Sequence, residues 1–514
     1  MVGRVRWMTP VIAAIWVAAS IGPASAQAGA DLRRQVADWV QGHQQALVDE
    51  LIALLSIPNV ASDRANIRRN AEHLQAMLAR RGFSAELLET AGNPLVYGEL
   101  EAPGATRTIL FYSHYDGQPV DPRAWKQESP FDPVLRTGRL DAGAAIVPNP
   151  RAVTAYEPDW RLYGRSASDD KSPIVALCAA LDALKALNLT PASNIRVILD
   201  GEEEASSPSL VPAIDRYRDR LRADLMVILD GPIHSSGRPT IAYGARGIVT
   251  LNLTVYGPRA GVHSGNYGNW IPNPAQRLAF LLASMKDESG RVTIAGFYDA
   301  VVPLSAQEQA LLDAVPDDAP RMLRTFGVAQ PEPAFPSLQR ALQYPTLNVR
   351  GLSSAHVGAG ARTIIPDRAT AAIDIRLVKE TGAQDLVSKV RAHVRKQGYH
   401  VIDADPTDEL RTTHSRIASI VVSETATNAF RTPPADPQAT RVARALEASF
   451  GSPPVQLRTL GGTVPIAPFI EALGFPAILV PVVNFDNNQH EENENLRLGN
   501  FFQAIEIVAA ILRS

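Results

Sequence analysis

Three consecutive carboxylates, Glu202, Glu203 and Glu204, follow a mainly apolar run at residues 194–199. Neighbouring carboxylates repel each other, and each must lose water in order to pack. The run has the length and composition of a buried strand, so the glutamates fall at its C-terminal end, where open α/β sheets bind ligands. A metal ion held by one glutamate, while its neighbour acts as a base, would relieve the repulsion. For an acidic triplet by itself, the alternative is a solvated turn.

Two other apolar runs also end in groups that bind metals. The run at residues 108–112 leads to His114 and Asp116, which share one face if the extended geometry continues. The run at residues 225–229 leads to Asp230. Continuous apolar runs of this length are typical of interior strands of a parallel sheet.

Two further candidates follow other elements. Asp169 stands at the start of a predicted helix that runs to about Leu187, where a carboxylate suits the helix dipole but could equally be a plain cap. His490 follows an apolar run at residues 477–483. Strands alternating with helices predict a parallel α/β sheet, which brings these groups near one edge. The candidate ligands at this edge are His114, Asp169, Glu204, Asp230 and His490.

Imidazole and carboxylate ligands without thiolate suit zinc, with manganese or cobalt as alternatives. A catalytic zinc usually takes three protein ligands, so this set is larger than a single site needs. Two ions about 3.5 to 4 Å apart, bridged by one carboxylate, would use all of the candidates.

The hydrophobic pattern changes after Gly247. Apolar residues then alternate with polar ones, as in residues 249–255 and 373–377. This alternation predicts an antiparallel sheet with one solvent-exposed face. We therefore predict an α/β catalytic domain formed by residues 27–247 and 433–514, with helices on both faces of a mostly parallel sheet. An α+β domain with an antiparallel sheet, residues 248–432, is inserted into it.

The N-terminus has the features of a secretory signal. Two arginines precede an apolar segment that ends in Ala24-Ser25-Ala26, which predicts a signal peptide at residues 1–26 and a periplasmic or secreted protein. Its removal leaves 48 basic and 53 acidic residues, a net charge of −5, which argues against nucleic acid or an anionic membrane as partner. No other stretch predicts a membrane span after signal cleavage. Cys178 lies in an apolar helix pattern and is predicted to be a buried thiol.

Nine stretches between residues 107 and 499 resemble, in the same order, the zinc-dependent peptidase family that includes carnosinases, glutamate carboxypeptidase and aminoacylases. The spacing from YGARG to GVHSG and the long second domain resemble the carnosinase-like dipeptidases most. The stretches are SHYDGQPVD, YGRSASDDK, DGEEEASS, VILDG, YGARG, GVHSG, RTIIPDRATAAIDIRLV, GGTVP and HEENE.

The resemblance implies a role for each residue of the metal centre. Asp169 would bridge two zinc ions. Asp116 would orient His114 through its far nitrogen, and Glu203 would be the general base that moves a proton from water to the leaving nitrogen. One ion would be completed by His114 and Asp230, and the other by Glu204 and His490.

The resemblance also implies that the second domain is a lid and dimerisation domain. In a homodimer, His263 would reach the partner subunit's site and stabilise the developing oxyanion. Arg376 would clamp the substrate carboxylate, and Thr463 would be a further substrate contact. From the residues alone, His263 could instead be a turn histidine and Arg376 a surface charge.

We therefore predict a dinuclear zinc metallopeptidase that cleaves dipeptides or short peptides with a free carboxylate. An N-acyl amino acid deacylase is the alternative within the same chemistry, because both substrates place an amide beside a carboxylate. A non-catalytic periplasmic peptide-binding protein is a different class, and Glu203 argues against it because binding alone needs no base. A serine hydrolase is disfavoured, since the chain has no Gly-x-Ser-x-Gly sequence.

Overall fold

The computed structural model describes residues 22–153, 155–423 and 425–514. The predicted signal peptide therefore lies largely outside the described residues, and export stays a prediction. Residues 23–26 form the beginning of the first helix. Among the residues that are described, no helix is long and apolar enough to cross a membrane.

The described residues form twenty strands and fourteen α-helices. The strands are β1 (Ser84–Leu88), β2 (Leu95–Leu100), β3 (Thr108–His114), β4 (Val134–Arg136), β5 (Arg161–Tyr163), β6 (Asn194–Asp200), β7 (Leu225–Ile228), β8 (Thr240–Ala242), β9 (Gly244–Ala245), β10 (Gly247–Tyr256), β11 (Val262–His263), β12 (Asn348–Ser353), β13 (Ile364–Ile365), β14 (Arg368–Leu377), β15 (His400–Ile402), β16 (Ile417–Val422), β17 (Phe430–Arg431), β18 (Val455–Leu457), β19 (Ala477–Leu479) and β20 (Asn495–Arg497). The helices are α1 (Pro23–Leu55), α2 (Arg64–Arg80), α3 (Lys171–Ala186), α4 (Leu210–Tyr217), α5 (Ser264–Tyr267), α6 (Pro274–Ala283), α7 (Ala306–Asp313), α8 (Ala319–Phe326), α9 (Leu338–Ala341), α10 (Ala383–Lys396), α11 (Asp408–Thr413), α12 (Pro437–Phe450), α13 (Ala467–Leu473) and α14 (Leu498–Leu512).

The larger sheet has eight strands in the order β1-β2-β6-β3-β7-β19-β8-β18. Its four central strands are parallel, because β3 pairs with both β6 and β7, and β7 pairs with β19. Antiparallel pairs occur toward the two edges. The predicted mostly parallel sheet is therefore confirmed.

Both faces of this sheet are covered by helices. Alternate residues of β3 point to opposite sides, so Ile109 and Phe111 pack in one core and Leu110 and Tyr112 in the other. Helices α1, α2, α3, α12 and α14 cover the first face, whereas α4 and α13 cover the second. Burial on both faces is the reason that the central strands read as continuous apolar runs.

A second sheet of five strands has the order β12-β14-β10-β16-β15. Its central pair is antiparallel over the whole of β10 and β14, with Val249 opposite Ile375. One face packs against α6 and α10 in a separate core. The predicted antiparallel sheet is confirmed, although its edge pair β15–β16 is parallel.

The chain passes between the two sheets at two adjacent points. Strand β9 on the outward passage pairs with β17 on the return, with Ala245 opposite Phe430. A Cβ atom at Gly244 would lie 2.2 Å from the carbonyl oxygen of Phe430, so this close approach requires glycine. An inserted segment needs its two ends to lie side by side, as β9 and β17 do. The domain limits at 248 and 432 stay a prediction.

The Pro-rich stretch from about 297 to 343, which the sequence pattern leaves unassigned, contains the short helices α7, α8 and α9. Ion pairs attach this segment to the larger sheet's side of the molecule. Glu308 lies 2.7 Å from Arg458, and Asp317 lies 3.1 Å from His234. Glu332 in turn lies 2.9 Å from Lys286, which follows α6, so the segment contacts both parts of the chain.

Candidate metal centre

The candidate ligands meet where the parallel strands end. Strand β3 ends at His114, which lies opposite Asp200 at the end of β6. Strand β7 ends two residues before Asp230. Because parallel strands share a direction, the loops after them converge on one edge of the sheet.

Two groups of possible metal ligands lie at this edge, and within each group the ligand atoms are all within 4.8 Å of one another. The sequence-based prediction contains five of the six residues and omits Asp170. The adjacent Asp169-Asp170 pair is the sequence signal that could have indicated it. One group is His114, Asp170 and Asp230, and the other is Asp169, Glu204 and His490.

Asp169 links the two groups. Its Oδ1 atom lies 2.9 Å from Nε2 of His114, and its Oδ2 atom lies 3.1 Å from Nε2 of His490. Gln489 also donates a 2.7 Å hydrogen bond to Oδ2. The residue at the cap position of α3 is Asp170, so Asp169 is not a plain helix cap. Its position between two imidazoles is the one expected of a bridging carboxylate.

The donor set fits divalent cations. The Oδ1 atoms of Asp170 and Asp230 are buried and have no hydrogen-bond partner among residues 22–153, 155–423 and 425–514. A buried acceptor left unpaired costs about 1 to 3 kcal/mol, and more when it is charged. Both oxygens belong to the group that includes His114, and a cation at that group would satisfy them. The mixed nitrogen and oxygen donors of the two groups suit zinc, manganese or cobalt.

The pKa values show how crowded the negative charge is. Burial, reinforced by the charge of Asp169, raises the pKa of Glu204 to about 7 and that of Asp230 to about 6. Burial also favours the protonated form of Asp169, but hydrogen bonds from His114 and His490 hold its pKa below the usual range. The hydrogen bond to Asp169 raises the pKa of His490 to about 9.

Asp116 organises both the first histidine and the glutamate turn. Its side chain is fully buried, and its two oxygens accept the backbone N–H groups of Glu203 and Glu204, each at 3.1 Å. Nδ1 of His114 lies 3.2 Å from the carbonyl oxygen of Asp116 and 3.4 Å from its carboxylate. Asp116 therefore lies beside the far nitrogen of His114 and also holds the turn of the glutamates, whereas its role in orienting the imidazole stays a prediction.

Glu494 holds the loop that carries Asp169. This fully buried carboxylate accepts backbone N–H groups from Ser166, Ser168 and Asp169, each at 2.9 Å, and pairs with Arg165 at 3.0 Å. Glu494 follows His490 by only four residues, so one loop supplies a candidate ligand and supports another. Sequence reasoning assigned no role to this residue.

A cavity of about 540 Å³ opens onto these groups between the two sheets. Arg376 on β14 donates a 2.6 Å hydrogen bond from Nη1 to Oγ1 of Thr463 on its wall. The two predicted substrate contacts therefore meet at the cavity. Its lining includes Asp169, Glu203, Glu204, Asp230, Ile248, Arg376, Leu460, Thr463, Val464 and His490.

His263 lies on the exposed surface at the start of α5. Its Nδ1 atom accepts the backbone N–H groups of Gly265 and Asn266, which is the turn role considered from the sequence. His263 is not among the residues that line the cavity of its own chain. Its action across a dimer stays a prediction.

The geometry defines an α/β protein in which clustered carboxylates and imidazoles that could hold metal ions lie beside a cavity. The family model of Peptidase family M20/M25/M40 matches residues 110–514, and the chain belongs to this family. The resemblance drawn from the sequence is thereby confirmed.

Two relatives match most of the chain. The human Beta-Ala-His dipeptidase is 28% identical over 422 residues, which cover 81% of this chain and 76% of the relative. The Cys-Gly metallodipeptidase dug1 of Schizosaccharomyces pombe is 25% identical over 479 residues, which cover 90% of this chain and 93% of the relative.

Solved structures agree with the fold. The M20 family metallo-carboxypeptidase Sso-CP2 from Sulfolobus solfataricus matches with a TM-score of 0.73 and 27% identity, covering 91% of this chain and 98% of that one. Human carnosine dipeptidase 1 matches with a TM-score of 0.69 and 25% identity, covering 93% and 98%.

Proposed function

We propose that this protein hydrolyses the amide bond of dipeptides or short peptides that carry a free carboxylate, using two divalent metal ions. The observation that carries the proposal is the position of Asp169, whose two oxygens each contact a histidine of a different ligand group. Relatives named as dipeptidases support a peptide substrate. Zinc is the preferred ion, with manganese or cobalt as alternatives.

Six residues would hold the ions. When bound, the ions would polarise the scissile carbonyl and lower the pKa of a bound water. The first ion would take His114, Asp170 and Asp230, and the second would take Asp169, Glu204 and His490. Asp169 would also lie beside the first ion, because it contacts His114.

Glu203 would act as the general base. It lines the cavity beside Glu204 and Asp230, and Asp116 fixes the backbone of its turn. It would accept a proton from the attacking water and transfer it to the leaving nitrogen, a role typically worth about 10² to 10⁴ in rate. A protein that only bound peptides would not need this group.

Arg376 and Thr463 would bind the carboxylate of the substrate. The guanidinium group and the hydroxyl group are 2.6 Å apart on the cavity wall. Apolar neighbours in the same wall, Ile248, Leu460 and Val464, would contact the substrate side chain. This arrangement would place the scissile amide over the metal centre.

The direct test combines metal analysis with a substrate panel. We expect about two transition-metal ions per chain, together with dipeptide hydrolysis that a chelator abolishes and added metal restores. Faster turnover of N-acyl amino acids would instead identify a deacylase. Absence of hydrolysis for every substrate in the fully metal-loaded protein would contradict the proposal.

We further propose a homodimer formed through the five-stranded sheet. Its edge strand β12 is exposed along its whole length, and Leu352 on it is 65% exposed. Exposed apolar edge strands are prone to pair with a second chain. Light scattering should give the mass of a dimer, and Leu352→Asp should shift it toward a monomer. Val328 is an exposed apolar residue outside this sheet, and Val328→Asp should leave the mass unchanged. A fully active wild-type monomer would remove His263 from the mechanism.

A further inference from the structure

A second cavity, of about 410 Å³, is lined in part by residues 484–486, which precede Gln489 and His490 of the metal centre in the chain. It shares no lining residue with the cavity at the metal centre. Helix α8 of the inserted segment forms one side, and the start of α14 forms another. Its polar lining includes Arg139, Arg321, Asn484, Asp486, Arg497 and Asn500.

Positive charge exceeds negative charge in this lining, because three arginines face one aspartate. Two arginines share the carboxylate of Asp486. Arg161, which does not line the cavity, contacts it at 2.7 Å, and Arg139 contacts it at 3.2 Å. Arg139 also pairs with the neighbouring Asp141. One carboxylate that already serves two guanidinium groups cannot neutralise the others.

The remaining two arginines are poorly paired. Arg497 makes two long contacts, at 3.7 Å with Asp486 and at 3.6 Å with Asp159. Its buried Nε atom has no hydrogen-bond partner in the described part of the chain. Arg321 has no ion pair in the same described ranges, and its guanidinium group lies 6.0 Å from the ring centre of Phe485. Unsatisfied guanidinium donors around a cavity favour an anionic ligand.

We propose that this cavity binds a small oxyanion with at least two negative charges, a phosphate or a dicarboxylate. Planar guanidinium groups match the oxygens of both classes, and the Asn500 amide lines the same space. The volume lies in the range of small-molecule sites. This inference does not rest on the proposed peptidase function, because binding can be measured directly.

The position of the cavity gives the ligand a structural effect. Arg321 belongs to the inserted segment, whereas Arg139 and Arg497 belong to the larger sheet's part of the molecule. Asp486 in the cavity wall precedes Gln489 and His490 of the metal centre in the same loop. A bound oxyanion would hold α8 against this loop.

The test is titration of the metal-loaded full chain with inorganic phosphate and, separately, with succinate, against sodium chloride at matched ionic strength. Calorimetry should show binding of at least one probe, and the tighter one identifies the ligand class. Arg321→Gln should weaken that binding at least about tenfold, the effect of losing a charge-assisted hydrogen bond. Hydrogen exchange in residues 319–326 should slow when the probe binds.

Arg324→Gln is the matched control, because Arg324 is exposed on the same helix but does not line the cavity. The Arg324→Gln variant should bind the probe with the affinity of the wild type. Arg497→Gln is a second variant on the opposite wall and should also weaken binding. An oxyanion held by the metal ions would inhibit turnover competitively and keep its affinity in Arg321→Gln. That result, or no binding of either probe, would overturn the inference.

Discussion

Arg376 and Thr463 are joined by a 2.6 Å hydrogen bond, although Arg376 lies on the antiparallel sheet and Thr463 lies in a loop attached to the larger sheet. Both residues line the cavity at the metal centre. It places a cation and a hydroxyl donor together where the carboxylate of a substrate would bind.

From this contact we predict that Arg376→Gln lowers kcat/KM for dipeptides by about tenfold to a hundredfold, mainly through KM, because one charge-assisted hydrogen bond is lost. Thr463→Val should have a smaller effect, and the double variant should be less than additive. Steady-state kinetics will measure these effects. A dipeptide amide, which lacks the carboxylate, should be insensitive to Arg376→Gln, and an equal loss with both substrates would contradict carboxylate binding.

The neighbouring glutamates should differ in their roles. Glu203→Gln should retain the metal ions but lower kcat by about 10² to 10⁴, because it removes proton transfer and not a ligand. Glu204→Ala should lower the metal content, since Glu204 belongs to the group that includes Asp169 and His490. Elemental analysis beside kinetics will separate these effects. Equal metal loss in both variants would show that the assigned roles are wrong.

Asp170 provides a test that the sequence alone did not suggest. Its carboxylate groups with His114 and Asp230, and its buried Oδ1 atom has no partner among the described residues. Asp170→Asn should weaken binding of one ion by about tenfold to a hundredfold, which is the usual loss of metal affinity when a group beside the metal ligands is changed. Metal titration will measure this loss. Glu202→Gln is a suitable control, because Glu202 is a carboxylate of the neighbouring glutamate triplet that belongs to neither ligand group and accepts the N–H of Asn93.

Metal binding should depend on pH. In the metal-free folded chain the pKa is raised to about 7 for Glu204 and about 6 for Asp230, mainly by burial, so both groups hold protons below these values. A cation must displace these protons, and its affinity should therefore fall as the pH decreases from about 7.5 to 5.5. Titration calorimetry in buffers of different ionisation enthalpy will count the protons released. An affinity that does not change across this range would contradict the prediction.

Glu204 and Asp230 also influence the stability of the metal-free chain. A carboxyl group whose pKa is higher in the folded state than in the unfolded state binds more protons when folded, so its contribution to stability decreases as the pH rises. The raised pKa of His490, about 9, acts in the same direction at higher pH. We therefore expect the Tm of the metal-free protein to fall between pH 4.5 and 7, and the gain in Tm on adding metal to grow. Melting curves will check both trends.

The sequence by itself determined the central strands of both sheets and five candidate ligands. These strands are β6, β3, β7 and β19 of the larger sheet and β14 and β10 of the second. Burial on two faces leaves a continuous apolar run, as in β3, and burial on one face leaves alternation, as in β10. These periodicities are local properties of the chain. The apolar run at residues 477–483 predicts a strand of that length, but β19 ends at Leu479, shortly before Pro481, which has no N–H to donate.

Only the tertiary structure decided which groups act together. The support that Glu494 gives to Asp169, the contact between Arg376 and Thr463, and the arginine cavity around Asp486 all join residues far apart in the chain. No spacing rule predicts such contacts, because they depend on how the two sheets and the loops between them pack. Burial and distance, which set the charge state of a carboxylate and the partners of a guanidinium group, exist only in the folded chain.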